Sequence, residues 1–201
     1  MKRSNRRGGT GTSFELRGFL TTSLKTRGNR SWVIRCWGAS IRREFADCRF
    51  INGIASESSY TRKPEIVARS GLARERFVTI IHPAASIART AQIGLGTSIM
   101  ANSVICPDAV IGDHVIILQN TVVNHHSRIA DHVTLSSGIT ILGYVTVEDS
   151  AFVGGGASLR PYIRVGARAL VGMGAVVVKD VAADETVAGN PAKVIRRKEK
   201  S

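Results

Sequence analysis

Cysteine is scarce in this chain of 201 residues, and the three that occur, Cys36, Cys48 and Cys106, form no CxxC pair and no Cys/His ligand set. An odd number of cysteines without such spacing favours reduced thiols and a cytoplasmic protein. No apolar run in the sequence approaches the roughly 18 residues that a membrane-spanning helix needs, so we predict no membrane insertion. The basic N-terminus lacks the apolar segment and small-residue cleavage site of a secretory signal, which we therefore do not predict.

Acidic residues are scarce at one end of the chain. Residues 1–43 carry eleven Lys or Arg and a single Glu, and they account for +10 of the formal net charge of +13. The remaining 158 residues are close to balanced at +3, so charge does not define the protein and we predict no nucleic-acid partner. We expect residues 1–30 to form a solvated, disordered basic arm that trypsin removes without loss of the folded remainder. Contact of this arm with an anionic partner is the alternative.

Aliphatic side chains recur at every sixth position over most of the remaining chain. Sixteen consecutive positions follow this spacing without one polar residue: Ile87, Ile93, Ile99, Ile105, Ile111, Ile117, Val123, Ile129, Leu135, Ile141, Val147, Val153, Leu159, Val165, Val171 and Val177. The residue four positions after each of them is Ala, Ser, Thr, Val or Ile, and glycine often follows the aliphatic directly, as at Gly94 and Gly112. A period of six fits neither the 3.6-residue period of a helix nor a simple alternating strand.

This spacing is the signature of hexapeptide β-helix repeats. Three hexads wind one triangular coil of about 18 residues, with the aliphatic side chain pointing into the prism and the small residue fitting inside near a corner. The glycines that directly follow the aliphatics are expected to allow a tight turn or a positive φ there. The predicted fold is therefore mainly β, a left-handed parallel β-helix of a little over five coils.

Three stretches carry a family resemblance: TIIHPAASIA at the entry to the repeats, IGDHVIILQNTVVNHH in the middle and VGMGAVVVKDVAADETVAGNPAKVI at the end. Through them, residues 78–195 resemble the hexapeptide-repeat acyltransferases, and among these the NeuD/PglD-like sugar acetyltransferases. The resemblance implies an enzyme that transfers an acetyl group from acetyl-CoA to an amino or hydroxyl group of a nucleotide-linked sugar in surface glycan synthesis. It also implies a homotrimer.

The resemblance further implies a sugar-binding domain before the repeats, a small Rossmann-like α/β unit. Its end is matched by FINGI at residues 50–54, and Trp32–Ile34 is a candidate strand, but the glycine-rich stretch 8–11 follows arginines instead of an apolar strand. We therefore predict a shortened or divergent α/β region ahead of the β-helix. The expected organisation is a basic arm at 1–30, a remnant sugar-binding region at 31–82, the β-helix at 83–180 and a cap with a basic tail at 181–201.

The only adjacent histidines, His125 and His126, lie in the segment VVNHHSRI. His125 comes two positions after the inward-pointing Val123, which places it on the outer surface of the prism, one coil from Gly143. A histidine titrates near pH 6.5, so its neutral imidazole can accept a proton from an attacking amine or hydroxyl; an exposed corner histidine without a function is the alternative. The resemblance makes His125 the general base, in a cleft between subunits, and places His126 at a modulator position where the family carries an acidic residue.

Metal binding is a weaker interpretation of the histidines. Adjacent residues of a strand point to opposite sides, so His125 and His126 are not expected to share a metal ion. His114 and His132 are spaced by one coil and each follows an aspartate, but two surface histidines without a third ligand are typical of a solvated ladder. We predict no metal site. A non-catalytic repeat scaffold or a carbonic-anhydrase-like zinc protein is the alternative function.

The resemblance places acetyl-CoA along the wall of the prism. It assigns a backbone contact with the thioester end to Gly143 and a second cofactor contact to Gly155, and Thr134 stands where the family has a histidine that contacts the cofactor. Simple turn geometry is the alternative for both glycines. Cys106 stands at a turn with no identified base, so we expect direct transfer without an acyl-enzyme.

Overall fold

The structure, a computed structural model, describes residues 19–20, 33–34 and 49–197. Strands β1 (Phe19–Leu20) and β2 (Val33–Ile34) pair in parallel, so the candidate strand around Trp32–Ile34 is confirmed over two residues. Apart from Phe19–Leu20, the basic arm predicted over residues 1–30, with its glycine-rich stretch, lies outside the described residues.

A short helical segment precedes the repeats. It consists of a 3₁₀ turn at Tyr60–Arg62, helix α1 at Lys63–Arg69 and a second 3₁₀ turn at Arg74–Arg76. Pro64 stands in the first turn of α1, where its missing N–H costs no helical hydrogen bond. Gly71 follows the helix with φ of 60°, the left-handed conformation that commonly ends helices. Within the described ranges, no helix has the length and apolar content needed to cross a bilayer.

Short strands at six-residue spacing make up the rest of the described chain. In chain order β3 to β11 are Ile80–Ile81, Ser86–Ile87, Gln92–Ile93, Ser98–Ile99, Val104–Ile105, Val110–Ile111, Ile116–Ile117, Val122–Val123 and Arg128–Ile129. β12 to β21 are Thr134–Leu135, Thr140–Ile141, Thr146–Val147, Phe152–Val153, Ser158–Leu159, Arg164–Val165, Leu170–Val171, Val176–Val177, Glu185–Ala188 and Lys193–Arg197. Each of the strands β3 to β19 ends on the aliphatic residue of its hexad.

These strands stack into three sheets that form the faces of a prism. The sheets contain six, five and eight strands, and from β3 to β20 successive strands along the chain fall on different faces. From β3 to β19, hydrogen-bonded neighbours are offset by 18 residues, as where Val122 pairs with Val104 on one side and Thr140 on the other. The parallel solenoid of about six turns confirms the predicted fold, and its arrangement is consistent with a left-handed β-helix.

Two columns of side chains fill the prism, as the repeat predicted. Ile141 and Val147 from the aliphatic column, and Val145 and Ala151 from the column four positions later, are all fully buried. Where the second column carries a hydroxyl, the hydroxyl donates to a carbonyl 15 residues further on: Thr97 to Gly112, Ser103 to Leu118, Thr121 to Ser136 and Ser127 to Leu142. These bonds satisfy polar groups that would otherwise be costly in an apolar core.

The corners of the prism use left-handed backbone, but not where we predicted it. Positive φ, between 55° and 71°, falls three positions after the aliphatic in fourteen successive hexads: Gly96, Asn102, Asp108, His114, Asn120, His126, His132, Gly138, Tyr144, Ser150, Gly156, Tyr162, Arg168 and Gly174. The expectation of positive φ directly after the aliphatic is therefore wrong. Glycine is needed there for space: a Cβ on Gly112 would overlap the Asp131 carboxylate of the next coil.

A hairpin follows the last coil. β20 adds in parallel to β18, and β21 then pairs antiparallel with β20, across a turn that contains a cis peptide bond between Asn190 and Pro191. The antiparallel strand ends the regular stack, because it does not offer the parallel edge that a further coil would need.

Candidate active site

His125 and His126 lie at a corner of the prism, between strands β10 and β11. The buried side chains of Val123 and Ser127 anchor this corner on either side. The imidazoles of both histidines are exposed. The predicted position of His125 on the outer surface is therefore confirmed.

The two imidazoles converge, contrary to our expectation that neighbouring side chains point apart. Their Nδ1 atoms are 3.1 Å apart, and the ring planes are nearly perpendicular at 85°. The expectation assumed the alternation of an extended strand, but His126 has a left-handed φ of 58°, which turns its side chain toward that of its neighbour. At 3.1 Å one Nδ1 donates a hydrogen to the other, so the pair is coupled directly.

Gly143 lies against the ring of His125, one coil along the prism. A Cβ at Gly143 would stand 2.8 Å from His125 Cε1 and 2.9 Å from its Nε2, closer than two such atoms can approach. Glycine is thus required here for the imidazole to occupy its position. The Gly143 carbonyl accepts from the Tyr162 N–H, whereas none of the residues that the structure describes accepts from the Gly143 N–H. A basic nitrogen and a free backbone donor therefore lie side by side.

A ladder of side chains runs along the same corner, which we define as Asp108, His126, Tyr144 and Tyr162. Each member follows the last by 18 residues and each has a positive φ. The ring of Tyr144 stacks on that of His126 at 4.8 Å and on that of Tyr162 at 5.0 Å. At the other end, His126 Nε2 is 3.7 Å from Asp108 Oδ2. Sequence analysis missed Asp108 and both tyrosines, although the 18-residue offset from His126 was the signal that could have found them.

Two other predicted site residues lie away from this corner within the single chain. Gly155 lies between β15 and β16, where a Cβ would stand 3.1 Å from the Ser137 carbonyl oxygen. Thr134 begins β12 on the eight-stranded sheet and is fully buried. The structure thus brings His125, His126 and Gly143 together, and it does not bring Gly155 or Thr134 to them.

Thr134 is covered by an unexpected residue, Lys63 of helix α1. Lys63 is fully buried, and its Nζ donates to Thr134 Oγ1 at 2.8 Å and to the Val133 carbonyl at 3.3 Å. It forms no ion pair with a residue in the described ranges, and burial lowers its pKa from 10.5 to about 7. Contact between Thr134 and a cofactor would therefore require Lys63 to move.

His114 and His132 form a second stacked pair, with rings 5.1 Å apart and almost parallel. Phe77 packs edge-on against His114 at 4.5 Å. The Nδ1 atoms of both histidines are buried and make no hydrogen bond within the described part of the chain. Burial is the main cause that lowers the pKa of His114, and it lowers that of His132 to about 4. No group of three or more His, Cys, Asp or Glu within residues 49–197 is arranged to hold a metal ion.

The lowered pKa values of Lys63 and His132 predict how the free energy of unfolding depends on pH. Between about pH 7 and 10.5 the unfolded chain keeps the Lys63 proton while the folded chain releases it, so the free energy of unfolding should rise with pH across this window. The slope from one group approaches at most about 1.4 kcal/mol per pH unit. His132 should add a similar rise between about pH 4 and 6.5. Urea denaturation at a series of pH values measures both.

The variant Lys63→Met isolates the rise in the free energy of unfolding between about pH 7 and 10.5, because it keeps the aliphatic bulk and removes the titrating group. We expect its free energy of unfolding to exceed that of the parent at pH 7 and to lack the extra rise above it. Lys193→Met, at an exposed position, is the matched control and should keep the parent profile. Parallel pH profiles for the parent and Lys63→Met would show that Lys63 keeps its ordinary pKa when folded.

Comparison with known proteins shows to which sequences and structures this chain is similar. A family model described as "Bacterial transferase hexapeptide (six repeats)" matches residues 90–125. A UDP-N-acetylbacillosamine N-acetyltransferase of Bacillus subtilis (strain 168) is 41% identical over 61 residues. That alignment covers 30% of this chain and 27% of the relative, so the match spans about a quarter of the curated protein's length.

Solved structures match over a larger share of the chain. PerB from Caulobacter crescentus, in complex with CoA and GDP-perosamine, is 30% identical, with a TM-score of 0.70 over 77% of this chain and 73% of that one. The acetyltransferase domain of PglB from Neisseria gonorrhoeae FA1090, in complex with acetyl coenzyme A, is 28% identical, with a TM-score of 0.67 over 73% of this chain and 70% of that one. Both similarities extend well beyond the segment that the family model covers.

Proposed function

The chain belongs to the hexapeptide-repeat acyltransferase family, and on this premise we propose that it transfers the acetyl group of acetyl-CoA to the amino group of a nucleotide-linked sugar. One observation carries the proposal: the His125 imidazole lies against Gly143, whose backbone N–H has no acceptor among the described residues. Similarity to a protein that is solved with CoA and GDP-perosamine supports this substrate class. An amino acceptor is favoured over a hydroxyl because the curated relative is an N-acetyltransferase.

In the proposed reaction the sugar amine attacks the thioester carbonyl directly. The carbon–nitrogen bond forms as His125 Nε2 accepts the amine proton, and the carbon–sulfur bond then breaks to release CoA, whose sulfur recovers a proton. The free N–H of Gly143 donates to the carbonyl oxygen as negative charge develops on it. Cys106 is a free thiol, and Asn124 is the only partner of its Sγ within the described residues, so no base activates it for a covalent step.

We further propose that acetyl-CoA lies along the prism wall, with its thioester end at Gly143 and a second backbone contact at Gly155. Neither position has a side chain that would obstruct close approach of the cofactor to the backbone; Gly155 is half-buried, and Gly143 is buried beneath the His125 ring. A contact with Thr134 stays a prediction, since Lys63 already binds its hydroxyl. We place this reaction in cytoplasmic synthesis of surface glycans, where acetyl-CoA and nucleotide-linked sugars are both substrates.

We expect a homotrimer, because one chain leaves Leu142, Tyr144 and Tyr162 exposed around His125, and a second chain's wall would complete the cleft. Light scattering coupled to size exclusion should return about three times the chain mass of 21.6 kDa at micromolar concentration. A monodisperse monomer there would contradict it.

Release of the CoA thiol tests the proposed activity. The purified protein is incubated with acetyl-CoA and, separately, with UDP- and GDP-linked amino sugars, their hydroxyl analogues and the free sugars. We expect thiol release that depends on a nucleotide-linked amino sugar. If the folded oligomer released no thiol with any of these acceptors, the chain would be a repeat scaffold instead.

A further inference from the structure

The corner that holds His125 supplies an acidic residue in an unexpected place. Position 126, next to the proposed base, is a histidine and so carries no fixed negative charge. Asp108 lies one coil away in the ladder, and its Oδ2 is 3.7 Å from His126 Nε2. On its other ring nitrogen, Nδ1, His126 contacts His125 Nδ1 at 3.1 Å. The three side chains form a continuous line from a carboxylate to the proposed base.

We propose that Asp108 and His126 act as positioning residues that fix the tautomer of His125, an inference that rests on the proposed role of His125 as the base. The Asp108 carboxylate holds the proton of His126 on Nε2. His126 Nδ1 is then a lone pair and accepts a hydrogen bond from His125 Nδ1–H. His125 Nε2 is left unprotonated, beside Gly143, where the amine proton must be accepted.

Without the carboxylate the opposite arrangement is equally available. His126 would carry its proton on Nδ1 and donate it to His125 Nδ1, and the neutral His125 ring would then be protonated on Nε2. A ring in that state cannot accept a proton at the position facing Gly143. The 3.7 Å separation is longer than a hydrogen bond, so Asp108 acts mainly through its negative charge.

The aromatic neighbours of the histidine pair do not select its tautomer, so the selection depends on Asp108. Tyr144 stacks flat on the His126 ring at an interplanar angle of 17°, so it offers π-surface and not a hydrogen bond to the ring nitrogens. The same tyrosine meets His125 edge-on at 86°. Apart from these aromatic rings, Asp108 is the only charged or titratable group among the described residues that pairs with either histidine through an ion pair or a hydrogen bond.

The experiment reads the tautomers directly by nitrogen NMR of the imidazoles in the full-length protein. Five histidines give few signals, and single substitutions assign them. We expect neutral His125 to be protonated on Nδ1 and neutral His126 on Nε2. Asp108→Asn should shift both toward the opposite tautomers, while Asp149→Asn, an equal charge change whose contacts lie elsewhere, should shift neither. Asparagine suits this test because it tolerates the left-handed φ of 60° at position 108.

Kinetics provide the second arm. Asp108→Asn should lower kcat by about tenfold with little change in KM, since the half-exposed carboxylate acts through a neighbour. In a His126→Ala background the same substitution should have no further effect. Unchanged tautomers in Asp108→Asn would overturn the inference even if acetylation were established. If the tautomers were as expected but the protein acetylated no acceptor, the positioning role of Asp108 and His126 would be upheld and the proposed function would be refuted.

Discussion

The variant His125→Ala is expected to turn over about 10²–10⁴-fold more slowly than the parent while it binds acetyl-CoA nearly as tightly. General-base catalysis typically contributes a factor of this order, and it acts on the transition state, so kcat falls and the dissociation constant of the cofactor does not. The side chain is exposed at a corner, hence its loss creates no core cavity. Steady-state turnover and calorimetric titration of acetyl-CoA measure the two quantities on one preparation.

His82→Ala is the matched control for this substitution. His82 is also exposed and on the solenoid, but its Nδ1 accepts from the Ala84 N–H at the first coil, far along the chain from the histidine pair. We expect it to keep the parent turnover. Full activity in His125→Ala on a confirmed substrate would assign the proton transfer to another group.

The variant Gly143→Ala should lose about 10²-fold in turnover although it adds a single methyl group. The new Cβ would stand within 3 Å of the His125 ring, so the imidazole must swing away from the position that faces the substrate. A displacement of about 1 Å at a catalytic group is enough for a loss of this size. The atoms that must move belong to an exposed side chain, so the midpoint of thermal unfolding should stay close to that of the parent.

The double variant His125→Ala/Gly143→Ala separates displacement of the base from other effects of the methyl group. With the ring removed, the Cβ at position 143 has space, and we expect the double variant to match His125→Ala alone. A further large drop would mean that the methyl group obstructs the cofactor or the acceptor itself. If Gly143→Ala alone turned over at the parent rate, the contact between Gly143 and the His125 ring would have no part in the mechanism.

The period of six predicted the solenoid because it records one structural requirement at each hexad. Every aliphatic residue from Ile99 to Val177 is buried where the repeat placed it, and the 18-residue offset predicted the neighbours of His125 in the adjacent coils. A sequence period predicts a fold well when each repeat contacts only its neighbours, because the spacing along the sequence then also gives the contacts in the structure. The same offset, applied to His126, leads to Asp108 and Tyr144.

Other features left no periodic signal. The side chains of His125 and His126 converge because His126, a non-glycine residue, has a left-handed φ. The prediction that they point apart assumed the alternation of an extended strand, which contains no such residue. Lys63 contradicts the usual preference of lysine for solvent, and its burial against Thr134 results from how α1 packs on one face of the prism. Contacts between a non-repeating segment and a repeat cannot be inferred from the period of the repeat.

Identification of the acetylated product tests the proposed function most directly. Acetyl-CoA with an isotopically labelled acetyl carbonyl is incubated with the protein and a nucleotide-linked amino sugar, and the labelled carbonyl is followed by NMR. We predict one amide on the sugar nitrogen for each CoA thiol released, and no such product from His125→Ala within the same time. A label that appeared as a sugar ester, or that stayed in acetyl-CoA with every nucleotide-linked amino sugar supplied, would contradict N-acetyl transfer by this chain.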